Sequence, residues 1–155
     1  MSLETWELLS YVVTVVALPL AIVVFLYEQR NERENEEDEV YQLLSDNYQD
    51  FLKIALDNPD LKLFAESAAA ELSEEQKERR MIIFSMLVSL VERAYVLLYE
   101  NRMSKKQHRR WSSWDDYMRE WCRRRDFRSA LPGLLQGEDT SFVSYIQKII
   151  ARENT

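Results

Sequence analysis

Twenty consecutive residues without a charge, Leu8 to Tyr27 (LLSYVVTVVALPLAIVVFLY), lie between Glu7 and Glu28. A helix rises about 1.5 Å per residue, so such a run covers about 30 Å, the hydrocarbon thickness of a bilayer. Lipid offers no hydrogen bonds, so a lone span has to be helical whatever strand propensity its Val and Ile carry. Trp6 and Tyr11 lie toward one end, and Phe25 and Tyr27 at the other, where amphipathic rings favour the interface. Pro19 removes one backbone donor and predicts a bend, which membrane helices tolerate. A cleaved signal peptide would start with basic residues, whereas Glu4 and Glu7 precede this run. A buried helix of a soluble protein is disfavoured because the run is apolar on every side.

Flanking charge sets the expected orientation. No Lys or Arg precedes the run, and Arg30 and Arg33 follow it closely. The positive-inside rule then puts the C-terminal part in the cytoplasm and a short N-terminus outside the inner (cytoplasmic) membrane. The lone Cys122 agrees, since one thiol builds no internal disulfide framework. Ser10, Thr14, Ala17 and Ala21 recur at steps of four, three and four, a small-residue face against which a partner helix or a second copy packs. The competing reading is that Ser, Thr and Ala are ordinary constituents of membrane helices.

The 128 residues after Tyr27 suffice for one domain with a modest core. Two Gly and three Pro in 155 residues leave few loops, and 30% charged residues among helix formers predict an all-α class. Glu28–Glu39 carries seven acids and two Arg and reads as a charged stalk helix. From Val40 the pattern is amphipathic, with Tyr41, Leu44, Tyr48, Phe51 and Leu52 on one face. Asn58-Pro59 ends that helix, and Asn58 is placed to cap a short one. Leu61 to Leu72 reads as a further short helix or two. Ser73-Glu74-Glu75-Gln76 is a capping box that predicts a long helix to about Met103. Its Met81–Val91 section is apolar nearly all round and is expected at the centre of the core. A re-entrant or membrane-lying segment is the alternative, since eleven residues do not span a bilayer.

Arg102 to Arg128 holds ten Lys and Arg against four acids. Within it, Ser112 or Ser113 is expected to cap a helix whose positive end Asp115 and Asp116 suit. Trp114, Tyr117, Met118, Trp121 and Cys122 share one face and read as core. Thr140 or Ser141 is expected to cap the last helix, with Phe142, Tyr145, Ile146, Ile149 and Ile150 as its apolar stripe. Arg109, Arg110, Arg119, Arg123, Arg124, Arg125 and Arg128 form a candidate patch for anionic lipid or an acidic partner. Internal pairing with the acidic stalk and with Glu71, Glu74 and Glu75 is the plainer account. A sequence pI near 4.9 disfavours nucleic acid.

Catalytic groupings are not evident. One His and one Cys are too few for the common zinc cages, and no phosphate-cradling Gly loop or Gly-x-Ser-x-Gly elbow occurs. Cys122 and His108 are fourteen positions apart, and a structural thiol is the simpler reading. No catalytic, metal or cofactor residue is assigned.

The anchor with its charged exit, Asn58-Pro59-Asp60-Leu61, the Ser73-Glu74-Glu75 cap and Trp111 through Trp121 together resemble a loose group of uncharacterised bacterial proteins. These have one N-terminal transmembrane helix and a small cytoplasmic helical domain. The resemblance implies a fold and no activity. The expected layout is an N-terminal tail and transmembrane helix at 1–27, a stalk at 28–39, and a cytoplasmic bundle of about four main helices at 40–155. The expected function is a non-catalytic membrane-anchored interaction module, self-associating or an accessory subunit of a membrane complex. A tethered sensor of a small ligand or anionic lipid comes second, and an enzyme third.

Overall fold

The computed structural model describes Trp6–Glu7 and residues 11–64 and 72–153. Its regular elements are all helices, with no strand among the described residues. A π-helical turn at Val13–Ala17 leads into α1 (Leu18–Asp57), followed by α2 (Glu74–Leu98), α3 (Lys105–Arg123), α4 (Arg125–Leu134) and α5 (Thr140–Glu153). The chain divides into two units, Met1–Val40 and Tyr41–Thr155, and α1 contributes residues to each.

In the first unit the uncharged run is not one regular α-helix over its described part. The π turn at Val13–Ala17 sits just ahead of Pro19. Proline has no N–H to give to Val15, and its ring crowds that carbonyl. A widened turn at this point is one way a helix absorbs both defects. From Tyr11 to Tyr27 every described side chain is exposed, including Tyr11 (72%), Phe25 (61%) and Tyr27 (71%). Glu28–Glu39 lies wholly within α1.

The second unit is organised around α3. Helices α1 and α3 run in the same direction, since Arg110 lies over Tyr41, Tyr48 stacks on Tyr117, and Phe51 meets Trp121. Helix α2 runs the opposite way: its start faces Trp121 through Phe84, and its end faces Trp111 through Tyr95. The ten-residue α4 carries the chain back, so α5 runs parallel to α3. Tyr145 touches Trp111, and Arg123 at the end of α3 pairs with Glu153 at the end of α5.

Among the described residues, the helix long and apolar enough to cross a membrane is α2, which is not N-terminal. It is the core helix of this unit. Ile83, Phe84, Leu87, Val88, Val91, Ala94 and Tyr95 are buried. Its burial is less complete than the sequence led one to expect, because Met81, Ile82, Met86, Val96 and Leu97 remain exposed.

Start and stop signals fall partly where expected. Ser73 and Gln76 form the reciprocal capping box at the start of α2, which ends at Leu98 rather than Met103. A second capping box, Ser104 with Gln107, opens α3. Ser112 and Ser113 are therefore interior positions, and Asp115 and Asp116 lie mid-helix rather than at its positive end. Asp139, not Thr140 or Ser141, caps α5, its carboxylate accepting from the backbone N–H of Ser141 and Phe142. Asn58 does not cap the 3-10 turn Pro59–Leu61. Its Nδ2 instead donates to the Ile54 carbonyl at the end of α1. Lys62 closes that turn in the left-handed region at φ 47°. The expected short helix from Leu61 to Leu72 falls largely outside the described residues.

Trp121 is the hub of the core. It is 2% exposed and makes edge contacts with Phe51, Phe64 and Phe84, with Phe127 tilted against it. Such ring pairs add about 0.5–1.5 kcal/mol each beyond burial. Trp121→Ala is therefore expected to cost about 3–5 kcal/mol. Leu56→Ala, at a side chain 76% exposed, should stay within about 0.5 kcal/mol. Urea unfolding followed by far-UV circular dichroism checks the contrast.

Candidate functional site

Two features of the molecule have the character of a site. One is the exposed apolar run of the first unit. The other is a cleft of about 630 Å³ in the second unit.

Of the small-residue face, Ala17 and Ala21 are exposed. Ser10 lies outside the described residues, and Thr14 falls within the π turn.

The seven arginines of the candidate patch are engaged in different ways. Arg124 donates to Asp126 at 2.7 Å and also reaches the carbonyls of Lys62 and Leu63. Arg80 meets the same Asp126 carboxylate at 3.0 Å. These contacts join the chain after α1 to α2 and α4. Burial works against ionisation of Asp126, but the hydrogen bond and charge of Arg124 outweigh it and leave its pKa below the usual carboxylate range. Arg128 donates to the carbonyls of Cys122 and Arg123, closing the end of α3. Arg119 pairs with Asp115 at 2.7 Å, and Arg123 with Glu153 at 2.9 Å. Arg110 lies over the Tyr41 ring, 5.4 Å from its centroid. Arg109 and Arg125 are exposed. The acids meeting Arg119, Arg123 and Arg124 are Asp115, Glu153 and Asp126.

The cleft lies between α3, α5 and the segment following α2. Helix α3 contributes His108, Trp111, Ser112, Asp115, Asp116 and Arg119. Helix α5 contributes Ser141, Ser144, Tyr145, Lys148, Ile149 and Arg152. Both sets follow steps of three, one, three, one and three, so each is a single helical stripe. The two stripes meet where Tyr145 donates to Asp115 at 2.5 Å. Burial and this hydrogen bond push the Tyr145 pKa up, so its hydroxyl stays protonated. Tyr95 and Tyr99 stack at 4.6 Å, and Tyr99 meets Trp111 edge-on at 5.3 Å. The floor is thus aromatic and the rim charged.

The stripe on α3 overlaps the tryptophan segment singled out in the sequence, but the one on α5 went unread. Its apolar residues gave the helix its stripe, and the polar residues interleaved with them looked like an ordinary solvated face. Their 3-1-3 spacing, matched on α3, is the signal that could have found the cleft.

Cys122 is fully buried, and burial pushes its thiol up to about 12. A thiol held protonated is a poor nucleophile at neutral pH. His108 is exposed at the cleft.

Near the start of α5, Glu138 hydrogen-bonds Glu92, which also accepts from the backbone N–H of Asp139 at 2.6 Å. That hydrogen bond, burial and the like charge raise Glu138 from 4.5 to about 7. A folded-state pKa raised in this way gives stability that is full below about pH 4.5 and lost as pH climbs through about 7. The carboxyls of Asp60, Asp126 and Asp139 are shifted the other way, below 3.8, and are already ionised over that window. The thermal midpoint is expected to fall between about pH 5 and about pH 8, and Glu138→Gln should flatten that slope. Differential scanning calorimetry across the range reads both.

No family model matches the chain, and neither do any of the curated proteins or solved structures compared with it, so nothing bears on the resemblance to the bacterial single-span group.

Proposed function

We propose that this chain is a membrane-anchored, non-catalytic helical interaction module, held in the inner (cytoplasmic) membrane by its N-terminal span with the helical domain in the cytoplasm. The observation that supports this most is the exposure of every described side chain from Tyr11 to Tyr27. Contiguous apolar surface of this size on a protein marks a membrane or protein contact. Lipid suits it best, since it runs all round the helix with no polar face. Arg30 and Arg33 beyond it favour the cytoplasmic side for the C-terminal unit.

Association is the module's role in this reading, with a second copy or a larger membrane complex. Ala17 and Ala21 are small and exposed, and small residues let helices approach closely in lipid.

A second reading, a tethered sensor of a small ligand, draws on the cleft between α3 and α5. Its volume lies within the range of small-molecule sites, and it sets aromatic rings beside ten polar or charged lining residues, enough to orient a polar ligand.

Native mass spectrometry of the full-length protein from mild detergent is expected to show a dimer or a larger complex. Ala17→Leu with Ala21→Leu should shift that population toward monomer by about ten-fold in the association constant. A strictly monomeric, partnerless wild-type chain, in native mass and after crosslinking in membranes, would contradict the association role.

A further inference from the structure

The uncommitted charges of the cleft narrow the ligand chemistry that the sensor reading, on which this inference rests, leaves open. Asp115 is engaged by Arg119 at 2.7 Å and by the Tyr145 hydroxyl. Lys148 and Arg152 have no ion-pair partner among the described residues, and both line the cleft. They stand at i and i+4 on α5, neighbours on one face, where like charges repel each other and destabilise a helix. Position at the end of α5 accounts for Arg152, because cations suit that end of a helix. It does not account for Lys148, a full turn earlier. Two cations side by side over an aromatic floor gain from an anion placed between them. Asp116 is the one uncommitted acid of the lining among the described residues, so the free charge of the cleft is positive on balance. The rings speak against a cage for a cation. Trp111 and Tyr95 are only 3% and 8% exposed, whereas Tyr99 and Tyr145, which pack against both of them, are half-buried and keep part of their surface for a ligand.

We propose that the cleft binds a small organic anion, its flat aromatic body against Tyr99 and Tyr145 and its carboxylate or phosphate held by Lys148 and Arg152. The site selects a ring and a charge together. Raised salt weakens binding, because both cations are exposed.

Isothermal titration of the full-length protein in a neutral maltoside detergent provides the test. The probes are naphthoate, naphthyl phosphate, the neutral naphthylmethanol, the cationic naphthylmethylammonium and inorganic phosphate alone. At least one naphthyl anion should bind, and the choice between carboxylate and phosphate identifies the headgroup. The neutral ring, the cation and bare phosphate should each bind at least about ten-fold more weakly. Lys148→Gln with Arg152→Gln should weaken the anion by about ten-fold or more while leaving the circular dichroism spectrum unchanged. Ser144→Trp, which fills the cleft and leaves both charges in place, should abolish binding. If naphthylmethanol or naphthylmethylammonium binds as tightly as the anions and Ser144→Trp blocks it, the cleft is a ligand site and the anion assignment is wrong. The assignment also falls if the double variant binds the anions unchanged. If no naphthyl compound of any charge binds, the ligand-sensor reading falls as well.

Discussion

Thirteen large apolar side chains between Tyr11 and Tyr27 stand 47–72% exposed, and water is a poor solvent for all of them. Each is worth roughly 1–2 kcal/mol when its exposed part is removed from water. That demand governs how the rest of the chain is best understood. A protein meets it by folding something over the surface, by assembling, or by placing it in lipid. The run is helical over its described part and has no polar side, and those two properties together favour lipid. The π turn ahead of Pro19 leaves the first unit helical across a residue that cannot donate its share of the ladder.

The second unit solves a different problem, how 115 residues with few loops make one core. Its answer is aromatic. Trp121 gathers rings from α1, α2 and α4 at one end of the bundle, and Trp111 with Tyr95 and Tyr145 does the same at the other. Arginines then fasten the joints between helices. Arg124 and Arg80 converge on Asp126, and Arg128 closes the end of α3. A basic segment that looks, as a string, like a surface for an anionic partner is in large part mortar. The cations of the cleft that have no ion-pair partner among the described residues are fewer, Lys148 and Arg152, and they line it together with Tyr99 and Tyr145.

The all-helical class was legible in the sequence because local signals were strong: few Gly and Pro, dense helix formers, and the Ser73 capping box. The buried face of α3 was legible too, since Trp114, Met118, Trp121 and Cys122 recur at helical steps. Its start was misread. An Asp pair beside two serines imitates a helix beginning, and the true cap at Ser104 lies in a polar stretch where nothing apolar draws the eye. Asp115 is needed by Tyr145 thirty positions on, and no local rule reveals a demand made from that distance. The cleft was hidden for the same reason, because its two walls come from stripes separated in sequence and brought together only by the return of α4. The exposed side of α2 was also out of reach, since a segment apolar all round does not announce which half the fold will cover.

Membrane association of the intact chain is the point on which most depends, and alkaline extraction reads it directly. Membranes from cells making the full-length protein are washed in carbonate without detergent and centrifuged at high speed. An integral span keeps the protein in the pellet until detergent is added. Recovery of folded, full-length protein in the detergent-free supernatant would mean that the run from Tyr11 to Tyr27 is covered by something other than lipid.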